Sequence, residues 1–189
     1  MIIEVVLEEY PKRVTLKSGE KITIRPLKSE DFEPLALFFK EGVEEEEIAL
    51  LKDNVKDPRI IKRWCDNIDY KRVFPLIAEK DGKIIADGTL HMRDFGWAQF
   101  IGKIRFVVSK DYRGKGVGTI LIRELIQAGE KLNLDKLWAE VVDVQEKAER
   151  ALRKSGFEPA GTLPQIAKDN EGRLHDVHIL IYHIFKEEY

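Results

Sequence analysis

The chain holds 189 residues, 43% hydrophobic and 35% charged, with 32 Lys+Arg set against 34 Asp+Glu. That length leads us to expect one domain over 1–189, burying roughly 70% of its unfolded surface, and a net charge of −2 without a long basic stripe excludes a broad nucleic-acid face. No run is long and apolar enough for a membrane span or a signal-peptide core, so no membrane partner and a cytoplasmic location are expected. The single cysteine, Cys65, rules out an internal disulfide framework and a cysteine-rich zinc site. Glu/Lys/Ile-rich usage suits a protein from a hot environment.

Residues 1–25 read as strand-like: Glu4-Val5-Val6-Leu7, then Val14-Thr15-Leu16, a turn at Ser18-Gly19-Glu20, and Lys21-Ile22-Thr23-Ile24-Arg25 with period-two alternation. Pro26 ends that strand, and Ser29 is placed as the cap of a helix whose apolar face is Phe32, Leu35, Ala36, Phe38 and Phe39. A second helix is expected over 43–53, its start Glu44-Glu45-Glu46-Glu47 reading as a solvated acidic turn. A third begins at Asp57 with Pro58 in the first helical position and carries Cys65 as a buried structural thiol. Asp81-Gly82 between two apolar runs marks a hairpin, and a further strand follows at 101–109.

The spacing of Val117, Leu121, Leu125, Ala128 and Leu132 predicts a helix over 117–131, then a short strand at 137–142 and a helix at 145–154 stopped by Gly156. Two strand-like segments, 157–167 and 174–185, close the chain around Asp169-Asn170-Glu171-Gly172. His175 and His183 share one strand parity and His178 the other, so they do not form one metal cluster. Antiparallel strands with a helix returning the chain to a neighbouring strand give an α+β class.

The most informative stretch lies between the 101–109 strand and the helix that follows. Arg113-Gly114-Lys115-Gly116-Val117-Gly118 places three alternate glycines and two cations at a helix start, where exposed backbone N–H groups form an anion site. A phosphorylated ligand is expected there. A P-loop is excluded because Lys115 is followed by Gly116 rather than Ser or Thr. A dinucleotide fingerprint finds its first two glycines in Gly114 and Gly116 but meets Thr119 at the third place, with Glu140 or Asp143 near the spacing of a ribose-binding acid. That reading stays open as an alternative, as does coenzyme A.

Arg113-x-x-Gly116-x-Gly118 resembles the [Arg/Gln]-x-x-Gly-x-[Gly/Ala] signature of the GCN5-related N-acetyltransferases. Leu137-Trp138-Ala139-Glu140-Val141, Ala148 and Lys154-Ser155-Gly156-Phe157 are similar to that family's second half. Ile22-Thr23-Ile24-Arg25-Pro26-Leu27 with Glu30-Asp31 is similar to its first strand and helix, and Gly172-Arg173-Leu174-His175-Asp176-Val177 to its final hairpin. The resemblance spans about residues 20–185, leaving 1–19 as an extension.

It implies a mixed, mostly antiparallel sheet with splayed central strands flanked by helices. The implied activity is acetyl transfer from acetyl-CoA, as co-substrate and without a metal, to an amine acceptor of unknown identity. Backbone N–H groups of Arg113, Gly114, Lys115, Gly116, Val117 and Gly118 would hold the pyrophosphate. The strand ending Phe106-Val107-Val108 would pair with the pantetheine arm, one of its N–H groups polarising the thioester carbonyl. Gln145 stands where family members carry an Asn that contacts the cofactor arm.

Glu140 is the implied base, with His91 a second candidate. Leu152 stands where the family's acidic Tyr is usual and cannot donate a proton, leaving Tyr182, Tyr112 or water. The acceptor is expected to be selected by the 28–72 helices and the hairpins, in or near which Trp64, Trp97 and Glu44–Glu47 fall. A non-catalytic acyl-CoA-binding or sensing module is a further alternative. Edge strands at the terminal hairpin make a homodimer one more expectation.

Overall fold

The computed structural model describes residues 2–184, so the end of the last expected strand, at 185, lies outside the described residues. The chain opens not with a strand but with a helix, α1 (Ile2–Glu8). Ile3 and Val6, three residues apart, are buried while Val5 is exposed, so helical periodicity against a later helix overrides the β preference of the branched residues. Strands β1 (Lys12–Thr15) and β2 (Lys21–Pro26) follow as expected.

Ser29 opens a 3-10 turn (Ser29–Asp31) that leads into the helix, and it is Asp31 whose carboxylate closes the start of that turn, accepting the Lys28 N–H at 2.8 Å. Asp31 also takes both Arg25 guanidinium nitrogens at 2.7 and 2.8 Å. Beyond it run α2 (Phe32–Leu37) and a π turn at Phe38–Gly42. The helix expected over 43–53 shrinks to α3 (Glu45–Ile48). Acidic residues before, within and after it reach distant cations, Glu44 and Glu47 pairing with Arg113 and Asp53 with Arg105. α4 (Pro58–Asp66) starts as its sequence dictates, the Asp57 carboxylate accepting the Arg59 N–H at 3.0 Å.

β3 (Val73–Lys80) and β4 (Lys83–His91) form the Asp81-Gly82 hairpin, and β5 (Ile101–Val108) runs antiparallel to β4. α5 (Val117–Lys131) crosses over to β6 (Lys136–Val142), which runs parallel to β5; α6 (Glu146–Lys154), β7 (Glu158–Lys168) and β8 (Leu174–His183) complete the chain. Among the described residues the eight strands make one sheet in the order β1-β2-β3-β4-β5-β6-β8-β7. From Ala86 onward in β4, and throughout β5, even-numbered residues face α5, while a bulge before Ala86 turns Ile85 to that side and Ile84 away; Gly88 lets that helix approach so closely that a Cβ there would lie 2.7 Å from a Leu121 methyl. Odd-numbered residues face α2 and α4, where Leu35, Phe39, Ile61, Cys65, Ile77 and Val107 form a second apolar cluster. No helix among the described residues is long and apolar enough to cross a membrane.

Candidate active site

Register between β5 and β6 exists only at Ile101↔Lys136, Gly102↔Leu137 and Lys103↔Trp138. Beyond Lys103 the two strands part, leaving facing backbone edges over 104–108 and 139–142. The phase of these edges follows from the ladders. Ser109 donates its N–H to the Ile85 carbonyl at 2.8 Å, so the odd residues of β5, Val107 included, point N–H and C=O toward β4. The even residues therefore present theirs to the slot. Phe106 joins Val108 as a backbone donor there, whereas Val107 contributes its side chain.

At the head of the slot a short 3-10 turn, Lys110–Tyr112, leads to the glycines. Gly116 caps α5 with φ 88°, a left-handed conformation, and no atom lies within 4 Å of where a Cβ would stand, so glycine is required there by backbone shape and not by crowding. The first N–H groups of α5, from Val117 on, lack helical partners and point out of the turn. Lys115 lies 4.6 Å over the Tyr112 ring and 3.5 Å from the Glu20 carboxylate, which also binds Lys80 at 3.0 Å. Arg113 is not a free phosphate ligand. Its guanidinium is held by Glu44 at 2.5 Å and by Glu47, and its Nε reaches the Val108 carbonyl at 3.4 Å. Glu44 and Glu47 thus tie the segment to the glycine turn, while Glu44, Glu45 and Glu46 stay exposed, as expected of a solvated acidic turn.

At the other side of the slot, Gln145 accepts the Val142 N–H through Oε1 at 3.0 Å, which leaves its amide N–H groups to donate into the slot. Leu152 is buried and lines the slot cavity of about 390 Å³, which Ala148, Leu163 and Ile166 also line. A second cavity, about 430 Å³, opens on the α2–α4 side and shares Arg105, Phe106 and Val107 with the first.

Three titratable groups near this junction differ sharply. Glu140 is bound by Lys103 at 2.8 Å and by Lys52; burial opposes ionisation, but those hydrogen bonds outweigh it and hold the carboxyl below its ordinary range. His91, beside Thr89 Oγ1 at 2.9 Å, is pushed down to about 4 by burial and then by Arg105 and Lys103, so its ring is neutral at pH 7. Asp87, in the second cavity among the apolar residues of α2 and α4, is pushed up to about 7 by burial alone. Asp87 was not singled out by the sequence. The available signal was a carboxylate inside the apolar run Ile84-Ile85-Ala86-Asp87, on the same parity as Thr89 and His91.

Trp64 lines the second cavity, while Trp97 stands exposed on the 92–100 loop. Tyr182 packs its ring 5.4 Å from Phe157, and Tyr112 sits at the glycine turn; neither lines the cavity junction. Cys65 is buried and its thiol is pushed up to about 11, as an inert structural cysteine should be. Among the described residues, no three His, Cys, Asp or Glu side chains converge as a metal site.

The fold is shared with solved acetyltransferases. The GNAT domain of S. lividans PAT superposes with TM-score 0.77 at 16% identity, covering 93% of this chain and 97% of that one. A putative acetyltransferase from Salmonella typhimurium, solved with its cofactor acetyl-CoA, gives 0.75 at 17%, covering 89% and 96%. A phosphinothricin acetyltransferase of the same superfamily from Sinorhizobium meliloti, in complex with acetyl-CoA, gives 0.73 at 17%, covering 86% and 88%. The model of the acetyltransferase (GNAT) family matches residues 36–157, which takes in the glycine turn, both splayed strands and Asp87. The chain belongs to the GNAT family of acetyltransferases.

Proposed function

We propose that the protein transfers the acetyl group of acetyl-CoA to a primary amine, on a small molecule or at a protein N-terminus or lysine, by direct attack of the amine nitrogen on the thioester. The observation that carries this reading is the junction of two cavities at Arg105, Phe106 and Val107, one along the parted strands and the other holding Asp87. The free N–H groups at the start of α5 suit a pyrophosphate. The slot-facing backbone of Phe106 and Val108 suits a pantetheine arm, with one N–H left to polarise a carbonyl oxygen. Gln145 supplies further donors across the slot.

The acceptor amine must shed a proton before its lone pair can attack. A base works best with a pKa near the operating pH, which matches Asp87 and not Glu140, whose ion pairs make it a weak proton acceptor. We assign the base role to Asp87 and read Glu140 as the anchor of Lys103 and Lys52. Acetyl-CoA supplies the acetyl group: the C–N bond forms, the C–S bond breaks, and the sulfur leaves as thiolate. A thiol titrates near pH 8.5, so water suffices to protonate it and Leu152 is no obstacle.

The buried Leu152 favours one other reading, a non-catalytic acyl-CoA-binding module. Amine-dependent release of free CoA thiol from acetyl-CoA, over a panel of amines, separates the two. Transfer predicts release that needs the amine; a sensing module predicts binding without release. A melting temperature raised by NAD and not by acetyl-CoA would overturn both.

A further inference from the structure

Arg105 is a partly paired cation at the junction of the two cavities. Its Nε is buried and has no hydrogen-bond partner among the described residues, and its ion pair with Asp53, through Nη1, is long at 3.3 Å. Nε is closed off from any water-sized molecule, so an oxyanion would meet this guanidinium through its Nη groups, of which Nη1 is paired with Asp53.

We propose that the amine acceptor carries a carboxylate, that Arg105 binds it, and that the acceptor is a small zwitterion of the α-amino-acid class with an apolar side chain. The proposal rests on the acetyl-transfer reading above. Arg105 pairs with Thr89 in the β4–β5 register, two residues along each strand from the Asp87↔Val107 pair and so on the same sheet face. One acceptor can therefore present its ammonium to Asp87 and its carboxylate to Arg105.

Both signs of charge line the acceptor cavity, Arg72 and Arg105 beside Asp53, Asp69 and Asp87, which suits a zwitterion. Leu27, Phe39, Val55 and Trp64 form an apolar wall, and about 430 Å³ is the scale of a small-molecule site. The anion is not one of coenzyme A's own phosphates. Three strand residues, about 10 Å, separate Arg105 from the end of β5, and the glycine turn lies beyond that. The pantetheine and thioester that would lie alongside Arg105 are uncharged.

The test compares L-phenylalanine, L-methionine and L-leucine with their α-amides and their decarboxylated amines, as acceptors at saturating acetyl-CoA, in the wild type, Arg105→Gln and Asp53→Asn. Acetyl-CoA affinity is measured separately by calorimetry. The proposal predicts a KM at least tenfold lower for the free acids than for the amides. It predicts that Arg105→Gln removes this preference by raising the KM of the acids alone. Asp53→Asn, by freeing the guanidinium, leaves the KM of the acids unchanged or lowers it, and acetyl-CoA affinity stays constant throughout.

Equal use of acids, amides and decarboxylated amines by the wild type would overturn the proposal. So would a parallel loss with every acceptor in both variants, which marks a structural ion pair, or acetylation of nothing in the panel by a protein that binds acetyl-CoA. Failure to bind acetyl-CoA strikes the acetyl-transfer reading itself, and this proposal with it.

Discussion

Asp87 and Glu140 project from the same face of one sheet, and their surroundings alone separate them. Asp87 is raised to about 7 by burial, so the folded chain keeps a proton that the unfolded chain has already released above its ordinary value near 3.9. Its contribution to stability is therefore fully present at low pH and declines as pH rises from about 4 to about 7. Asp87→Asn removes that penalty. We expect the variant to be more stable than the wild type at pH 8 by about 1–3 kcal/mol, with the gain vanishing near pH 4, in paired urea titrations. The same variant should lose about 100-fold or more in kcat/KM.

In the wild type kcat/KM should rise with pH through about 7, a limb that Asp87→Asn abolishes. Glu140→Gln should cost less than about tenfold and leave the limb in place, because its ion pairs hold it ionised at any working pH. If Glu140→Gln removed the pH limb instead, the base assignment would have to move to Glu140. Neither role was readable from the residue alone. The family likeness pointed to Glu140, but its three-way contact with Lys52 and Lys103 joins segments far apart in the chain. The burial of Asp87 depends on α2 and α4 packing over β4.

At the scale of elements, the glycine turn and the helix after it were legible because their signals are local: alternate glycines, an apolar stripe at helical spacing, an apolar strand before them. Gly116→Trp should weaken CoA binding by about tenfold or more while the protein still melts cooperatively, since open space surrounds a side chain there and only the local backbone is strained. Undiminished CoA affinity in calorimetry would remove the turn from the site. Features set by strand phase or by remote partners were not legible. The slot-facing backbone of Phe106 depends on β4 pairing, and Arg113 is turned from the phosphate turn by the acidic run some seventy positions earlier. The N-terminal segment reads as strand from its β-branched residues, yet Ile3 and Val6 find a helix to pack against and the chain coils accordingly.

The β7–β8 hairpin is a second element with a pH signature. His175 bridges Asp169 at 3.0 Å and Asp143 at 2.9 Å, and the hydrogen bond to Asp169, then that to Asp143, raises its pKa against the effect of burial. The clamp is fully formed below the ordinary histidine value near 6.5 and is lost as pH rises through the higher folded value. Leu163 and Ile166 of this hairpin line the slot cavity. Amide exchange over 163–176, corrected for its intrinsic pH dependence, should therefore speed up between pH 6 and 9 in the wild type and show no such trend in His175→Asn.

Over the whole molecule, one sheet borders both cavities. The parallel ladder of β5 and β6 stops after Lys103 and Trp138, and the gap that opens meets a cavity built by the opposite layer of helices. The α+β class, the hairpins and the splay followed from the element order and the family likeness. The cavity between layers did not, because its walls come from segments whose helices are short and whose contacts are long-range. Cys65, buried with its thiol raised to about 11, offers no acyl-carrying nucleophile, so the acetyl group should pass directly to the amine.

The most direct test is a single turnover with deuterium-labelled acetyl-CoA and an acceptor amine, with protein and small molecules both followed by mass. Direct transfer predicts the labelled acetyl group on the amine nitrogen in one-to-one ratio with free CoA, and a protein mass unchanged at every time point. Labelled acetate released equally with and without amine, or an acetylated protein that forms and decays before product appears, would contradict it.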